Sequence, residues 1–254
     1  MRETTEDTFF EGRIRVRQHR DGYRFSIDAV ILARHAAGEG PLPEGGAPPI
    51  RNPRPRRVLD LGTGCGIIPL ILSFNRPRDH ITGVEVQEEL ARLARENVLA
   101  NGMADRIEVL HQDLKAVTLE ELGGAVDLVV SNPPYRAPGS GRRNRQDQRA
   151  AARHEILASL PDVVGAASRV LEISGRFAVI FPAERLAALL SEMRAVRIEP
   201  KFLRLVHSRW DTWAKLALVE GIKGGRPGLA VAPALILYRN GGGYTEEAAR
   251  MFRP

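Results

Sequence analysis

Cysteine is almost absent from this chain of 254 residues, which contains only Cys65. One cysteine can form neither a disulfide framework nor a cysteine-ligated zinc site, so both are excluded. No apolar run approaches the ~18 residues that span a bilayer. The first residues, MRETTEDTFFEGRIRVRQ, lack the apolar stretch of a secretory signal. We therefore expect a soluble, cytoplasmic protein that uses neither a metal nor a membrane.

Lysine is scarce as well, with four lysines against 33 arginines and a net charge of +6. A GC-rich coding bias would produce the same ratio, so the positions of the arginines are more informative than their number. Six of them lie between Arg136 and Arg153 with one acid, Asp147, and the segment RIRVRQHRDGYR carries five more. Clustered arginines predict an anionic partner such as nucleic acid, and an ordinary solvated surface is the alternative.

Glycine and proline are concentrated in residues 38–57, GEGPLPEGGAPPIRNPRPRR, which predicts an irregular linker. We expect residues 1–55 to form an N-terminal segment with this linker, and residues 56–254 to form the main domain. Before the linker, SIDAVILARHAA predicts a helix with Ser26 as its N-cap.

Apolar runs alternate with helical stretches after the linker. Strands are predicted for RVLDL, ITGVEV, IEVLHQD, VDLVVS, GRFAVIFP, KFLRLVHS, KLALVEGI and LAVAPALILY. Helices are predicted for GIIPLILSF, EELARLARENVLANG, HEILASLPDVVGAASRVL and AERLAALLSEMRAV. This order predicts a doubly wound α/β fold, in which a mostly parallel sheet has antiparallel strands at one edge.

The segment VLDLGTGCG is a strand that leads into glycines and then into a helix. A doubly wound sheet binds nucleotide-like ligands at such a turn, since glycines allow close approach and the helix N-terminus offers free N–H groups. The spacing D-x-G-x-G-x-G comprises Asp60, Gly62, Gly64 and Gly66. A dinucleotide fingerprint would place its third glycine where this chain has Ile67. An acid in the strand favours an amine-bearing cation, and S-adenosylmethionine has an ammonium, a sulfonium and no phosphate.

Two further acids follow the next predicted strands. Glu85 ends the second strand, where a carboxylate can accept hydrogen bonds from both ribose hydroxyls, and we assign Val86 to the same site. Asp113 follows the third strand and can accept from an adenine amino group. Either acid alone is typical of a solvated strand end, but with the glycine loop upstream both predict cofactor binding.

The strand VDLVVS ends on Asn132-Pro133-Pro134-Tyr135. Proline cannot donate to a sheet ladder and restricts the residue before it to extended backbone, so the motif is stiff. The Asn132 side-chain oxygen and the Pro133 carbonyl can each accept one hydrogen of a planar amino group, which aims its lone pair at a methyl donor. Tyr135 offers a ring for stacking. The motif predicts catalysis of N-methylation, with Asn132 also near the cofactor; simple strand termination is the alternative.

The glycine loop and this motif together resemble the class I methyltransferases that use S-adenosylmethionine, over about residues 56–220. That resemblance implies a seven-stranded sheet with the cofactor across the carboxyl ends of its strands. The segments GYRFSIDAVILA and VHSR…KLALVEGIKGGRPGLAVAPALILY…GGYTEEA are similar to the bacterial tRNA(Val) adenine-N6 methyltransferase family. The family implies methylation of an adenine in RNA, in a tRNA anticodon loop, and an N-terminal segment that closes over the cofactor. Phe25 and Asp28 are then candidate cofactor residues, with first-turn helix charge as the alternative for Asp28.

The substrate side of the site is predicted less sharply. Residues expected to hold RNA are Tyr135, Arg136, Arg142, Arg143 and Arg145. Trp210 and Trp213 depart from the family pattern; beside Arg209 and Lys215 they can stack on bases, but packing in the core or at an edge is favoured.

Several other functions use the same kind of motif. Amino methylation of rRNA, methylation of a release-factor glutamine, and a catalytically silent RNA-binding partner all remain alternatives. A glutamine methyltransferase usually has a helical substrate domain at its N-terminus. About 55 mostly irregular residues precede the predicted sheet here, which is too few for such a domain. Methylation of pyrimidine C5 is not expected, because it needs a cysteine nucleophile near the target and Cys65 lies within the glycine loop.

Overall fold

The computed structural model of the protein describes residues 3–20, 27–39, 55–133 and 158–254. The strands within these ranges are β1 (Thr4–Phe9), β2 (Ile14–His19), β3 (Arg57–Leu61), β4 (His80–Glu85), β5 (Ile107–His111), β6 (Val126–Ser131), β7 (Leu171–Pro182), β8 (Ile198–His207), β9 (Ala214–Lys223), β10 (Ala230–Val231) and β11 (Leu235–Ile236). The helices are α1 (Ile27–Ala36), α2 (Ile67–Asn75), α3 (Glu88–Ala100), α4 (Leu160–Val170), α5 (Leu186–Ala195) and α6 (Glu246–Arg250).

Strands β3 to β9 form the central sheet in the order β5-β4-β3-β6-β7-β9-β8. Neighbours from β5 to β7 are parallel, whereas β9 runs antiparallel to both β7 and β8. This confirms the predicted seven-stranded, mostly parallel sheet with antiparallel strands at one edge. The short strands β10 and β11 pair with β8 and extend that edge to nine strands in all.

The prediction of one continuous strand for LAVAPALILY was wrong. The segment forms only β10 and β11, two residues each, and both run parallel to β8. Pro233 lies between them and has no N–H to donate to a sheet ladder, so a continuous strand cannot pair through this position.

Several loops lie where the parallel strands β3, β4 and β6 end. We call this end of the sheet, formed by the carboxyl ends of the strands, the carboxyl edge. β7 runs parallel to β6, and β7 and β8 both pair antiparallel with β9, so they end there too. The chain returns from β8 to β9 through residues 208–213. The glycine loop after β3, Asn132 after β6 and the 208–213 turn therefore share the carboxyl edge.

Strands β1 and β2 form an antiparallel hairpin that the sequence patterns did not predict. Ile14 and Val16 are fully buried, but they alternate with exposed arginines, which made the segment resemble a simple cluster of charge. Side chains of α3 pair with the free backbone edge of β2. Asn97 exchanges hydrogen bonds of 2.8 Å with the backbone N–H and C=O of Arg17. Asn101 does the same for Arg15, at 2.9 and 2.7 Å, so α3 replaces a third strand.

The hydrophobic core lies on both faces of the sheet. One cluster packs the hairpin, α1, α2 and α3 against the sheet, and the other packs α4 and α5 against it. The described parts of the N-terminal segment thus share the core of the main domain, while the boundary at residue 55 stays a prediction. No helix among the described residues is long and apolar enough to span a bilayer.

Helix ends follow local rules that the sequence contains. Helix α4 begins at Leu160 and has Pro161 in its first turn. The preceding residue, Ser159, forms a capping box with Asp162. The prediction of a helix through residues 158 and 159 was therefore wrong, because Pro161 lies in the first turn of the helix and does not interrupt it. Helix α3 ends before Gly102, whose φ of 64° confirms the predicted glycine at the C-terminus.

Candidate active site

The glycine loop connects β3 to α2 and is held against β4. The backbone N–H groups of Gly62 and Thr63 both donate to the carbonyl of Val84, at 2.9 and 3.0 Å. Gly62 and Gly64 have φ values of 78° and 58°, which L side chains rarely adopt. A Cβ at either position would meet nothing within 4 Å, so the space beside the loop is open. Glycine is required here by the backbone conformation and leaves room for a ligand.

Helix α2 begins directly after Gly66, the last glycine of the predicted spacing. Gly66 has a φ of 85°, and a Cβ there would lie 3.3 Å from the Cβ of Ala94 in α3. The helix start has neither a side-chain cap nor an acid in its first turn. Its N–H groups and the positive end of its dipole are therefore available to a negatively charged ligand group.

Asp60, in β3 just before the glycine loop, is completely buried. Neither of its carboxyl oxygens has a hydrogen-bond partner within the described residues. Burial raises the pKa of Asp60 to about 7, and the charge of Glu85 adds to this shift. The Thr63 hydroxyl lies close enough to oppose the shift, although the geometry between the two side chains falls short of a hydrogen bond. A buried acid without a partner is costly, which points to a cationic ligand that would satisfy it.

Glu85 ends β4 and is fixed by backbone groups on two sides. Its Oε2 accepts from the N–H of Gly64 at 3.0 Å, and its Oε1 accepts from the N–H of Gln87 at 2.9 Å. Oε1 also accepts from Nε2 of the Gln87 side chain at 3.4 Å. Since each carboxylate oxygen has two acceptor positions, one position on Oε2 remains for a ligand hydroxyl. The neighbouring Val86 carbonyl accepts from Nε2 of His111 at 3.1 Å, which ties the end of β5 to this site.

Asp113 is placed differently from the other two acids. It follows β5 and caps a 3-10 turn, where its Oδ1 accepts from the N–H of Lys115 at 2.9 Å. Its Oδ2 lies 3.3 Å from Nζ of the same lysine, and the side chain is partly exposed. These contacts are a structural reason for an acid at this position, so a cofactor role for Asp113 stays a prediction.

Asn132 follows β6 at the carboxyl edge and is held close to the glycine loop. The hydroxyl of Ser131 donates to the carbonyl of Leu61 at 2.8 Å, which ties the end of β6 to the end of β3. Asn132 is buried and lines one pocket together with Gly62 and Gly64. Pro133 is buried beside it. The remaining predicted site residues lie outside the described residues: Phe25, Pro134, Tyr135, Arg136, Arg142, Arg143 and Arg145.

The N-terminal hairpin supplies a wall of this pocket that the sequence patterns missed. Gln18 and His19, at the end of β2, line the pocket, as does Ala29 of α1. His19 is buried, and neither ring nitrogen has a hydrogen-bond partner within the described residues. The sequence does contain a signal for β2, because Ile14, Val16 and Gln18 alternate with Arg15 and Arg17, as expected for a strand with one buried face. Asp28 is buried in the first turn of α1, which disfavours its reading as solvated helix charge.

A thiolate or a metal ion would indicate a different chemistry at this site. Burial raises the pKa of the Cys65 thiol to about 12, so the thiol stays protonated at neutral pH and is a poor nucleophile. The described residues include no group of three or more His, Cys, Asp or Glu side chains that could hold a metal ion. The site is built instead from backbone dipoles, two acids and an amide.

The two tryptophans are exposed, so the prediction that they pack in the core or at an edge was wrong. Trp210 is 68% exposed and Trp213 is 91% exposed. They lie in the 208–213 turn and not within a strand, so neither faces the core. The arginines of the hairpin are exposed as well. Arg17 of β2 pairs with Glu6 of β1, and Arg20, just after β2, pairs with Glu3, just before β1, which reduces the positive charge there.

Solved structures share this fold. A predicted O-methyltransferase from Agrobacterium tumefaciens matches 88% of this chain and 94% of its own, with a TM-score of 0.67 and 23% identity. The T. thermophilus 16S rRNA N2 G1207 methyltransferase, in complex with AdoMet and guanosine, matches 87% of this chain and 50% of its own, with a TM-score of 0.55 and 19% identity. At these identities the two structures support the methyltransferase fold alone.

Sequence comparison identifies the family. The family model of the methyltransferase small domain matches residues 48–185. A tRNA1(Val) (adenine(37)-N6)-methyltransferase from Porphyromonas gingivalis is 34% identical over 205 residues, which are 80% of this chain and 73% of that protein. The chain therefore belongs to the methyltransferase small domain family and, within it, to the tRNA1(Val) (adenine(37)-N6)-methyltransferase family.

Proposed function

We propose that this protein transfers a methyl group from S-adenosylmethionine to N6 of an adenine in a tRNA anticodon loop. The names of its relatives specify adenine 37 of tRNA1(Val). The observation that carries the proposal is that one pocket brings Asn132 to the glycine loop, so an amino-group acceptor lies beside the cofactor cradle. We place this activity in the cytoplasm, where tRNA is available.

The residues present fit S-adenosylmethionine as the cofactor. The buried, unpartnered carboxyl group of Asp60 suits a ligand that brings positive charge. Glu85 keeps an acceptor position on Oε2 for a ribose hydroxyl, and the long 3.4 Å contact of Oε1 with the Gln87 side chain is weak enough for a second hydroxyl to replace. The start of α2 suits a carboxylate. A dinucleotide would instead bring its pyrophosphate close to both acids, which is unfavourable. When bound, the cofactor supplies an electrophilic methyl group.

The chain itself acts by orientation. The side-chain oxygen of Asn132 and the carbonyl of Pro133 each accept one hydrogen of the adenine amino group, which directs the nitrogen lone pair toward the methyl. The Ser131 hydrogen bond to Leu61 holds these acceptors in register with the glycine loop. No strong base is needed, because the methylated nitrogen is acidic enough to release its proton to water.

A substrate panel tests this function. The purified protein with labelled S-adenosylmethionine is incubated separately with total tRNA, rRNA, DNA and release factor, since guanine N2 and a glutamine amide would fit the same acceptors. We expect label in tRNA, recovered as N6-methyladenosine, and no label with the Asn132→Ala variant. Label confined to rRNA, DNA or a release-factor glutamine would overturn the tRNA proposal but leave amino methylation standing.

A further inference from the structure

The 208–213 turn exposes two tryptophans that the proposed chemistry does not use. Single exposed apolar residues are normal on a protein surface and need no explanation. Two exposed indoles in one six-residue turn are a different case, because a packed aromatic side chain buries about 150–250 Å². Trp213 is the most exposed large hydrophobic residue of the described chain, at 91%. The turn therefore presents a flat apolar surface that a partner can cover.

The sheet topology places this turn at the carboxyl edge, with the candidate active site. Pro182 at the end of β7 pairs with Leu216 of β9, and His207 at the end of β8 pairs with Ala214. The tryptophans lie two strand spacings, or roughly 10 Å, to the side of β6. Ser131 at the end of β6 is level with Val179 of β7 and Val219 of β9, so Trp213 also lies up to roughly 20 Å farther along the strand direction. The tryptophans are thus within reach of nucleotides a few positions away from a target base held at Asn132.

The turn is held by its own hydrogen bonds. Nδ1 of His207 donates to the carbonyl of Thr212 at 2.7 Å. The Thr212 hydroxyl accepts from the N–H of Arg209 at 3.0 Å and donates to the Arg209 carbonyl at 2.8 Å. A turn organised in this way loses little conformational entropy on binding, so it can present its rings as a fixed platform.

The charge around the tryptophans matches a nucleic acid. Arg209 and Lys215 flank them and are exposed, against one exposed acid, Asp211. The backbone N–H of Tyr238 donates to the carbonyl of Ser208 at 2.9 Å, which brings a third exposed aromatic residue and the adjacent Arg239 to the same region. Aromatic rings interleaved with cations are typical of surfaces that stack bases and hold phosphates.

We infer that Trp210 and Trp213 stack on unpaired bases of the RNA substrate while Arg209 and Lys215 hold adjacent phosphates. This surface, the tryptophan platform, selects an RNA loop because paired bases do not expose their faces for stacking. The inference rests on the proposed function and adds an RNA-docking surface to it.

Binding of an unmodified tRNA anticodon stem-loop to the full-length protein tests the platform. At about 1 kcal/mol or more per stacked base, Trp210→Ala or Trp213→Ala alone should weaken binding about fivefold, and the double variant about 30-fold or more. Replacement by Phe should restore most of the affinity, whereas Leu, which is apolar but not planar, should not. Ile173→Ala is the matched control, since Ile173 is 67% exposed near the start of β7, at the opposite edge.

Two further measurements separate this inference from the proposed function. Affinity for S-adenosylmethionine should be unchanged in the double alanine variant, and its single-turnover rate at saturating RNA should stay within about threefold of the wild type. Equal RNA affinity of the wild type and the double variant overturns the platform, whether or not the RNA is methylated. Dissociation of a dimer in the double variant, with RNA binding intact, would overturn it in favour of a second copy of the chain. Failure of the proposed function would be seen as unmethylated RNA with the wild type.

Discussion

The cofactor side and the tryptophan platform lie at the same edge of one sheet but are built in opposite ways. At the glycine loop, backbone groups hold the main elements of the site: the carbonyl of Val84 anchors the loop, and Glu85 is fixed between the N–H groups of Gly64 and Gln87. At the 208–213 turn, the contact surface consists mainly of the exposed side chains of Trp210 and Trp213. Binding of the methyl donor therefore depends on buried, preorganised geometry, whereas recognition of RNA depends on a surface that can vary without disturbing the chemistry.

The largest expected effect separates chemistry from binding. Asn132→Ala should lower the rate constant of methyl transfer by about 10²–10³-fold, because one of two preorganised acceptors is lost. Affinity for S-adenosylmethionine should change by less than about threefold, as measured by calorimetry on the same sample. An active Asn132→Ala enzyme would break the assignment of chemistry to this residue.

The next effect sharpens the difference between the two acids that follow strands. Glu85→Ala should weaken affinity for S-adenosylmethionine about 100-fold, since two ribose hydroxyls lose a charged acceptor. Asp113→Ala is the comparison, and we expect about tenfold or less because Asp113 already caps its own turn. Calorimetry on both variants decides this, with Glu85→Gln added because it keeps the side-chain volume but replaces one acceptor oxygen by an NH₂ donor. A larger loss for Asp113→Ala than for Glu85→Ala would reverse the placement of the cofactor.

A third prediction concerns the hairpin that covers the cofactor side. Asn97 is buried and joins β2 to the glycine loop, because its Nδ2 donates both to Arg17 and to the carbonyl of Cys65. Asn97→Ala should reduce the free energy of unfolding by about 1–3 kcal/mol, as buried backbone groups lose their partners. Asn101→Ala, at the more exposed contact with Arg15, should have a smaller effect in the same denaturant titration. Equal effects would mean that the link to the loop is unimportant.

A fourth prediction is a pH dependence caused by Asp60. Its pKa is raised to about 7 in the folded protein, from 3.8 in the unfolded chain, so the folded state binds more protons between these values. The stability of the cofactor-free protein should therefore fall as the pH rises from about 4 to about 7, by at most about 1.4 kcal/mol per pH unit. A cationic cofactor favours the charged carboxylate, so its binding near pH 7 should release a fraction of a proton.

Asp60→Asn is the control for both observations. The variant should lose this part of the pH slope in denaturant titrations performed from pH 4 to 7. Calorimetry in buffers of different ionisation enthalpy should show the proton release only in the wild type. Identical proton release in Asp60→Asn would assign the titrating group elsewhere.

The comparison also explains which features could be predicted from the sequence. Gly62, Gly64 and Gly66 were predictable because the turn that needs them is local, and the strand and helix around it are strongly patterned. His19 was missed since its position depends on amides of α3, which lie about 80 residues later in the chain. The exposure of Trp213 was predicted wrongly, although the predicted strands left it in a turn, because the sequence does not show whether an indole in a turn folds back onto the sheet or faces solvent.

Nucleoside mass spectrometry of tRNA from a deletion strain tests most directly whether this chain methylates N6 of adenine in tRNA. We expect N6-methyladenosine to disappear from tRNA1(Val) on deletion. It should return when the wild-type chain is expressed, but not when Asn132→Ala is expressed at the same level. Unchanged N6-methyladenosine in that tRNA after deletion, or full recovery with Asn132→Ala, would show that another enzyme or another residue is responsible.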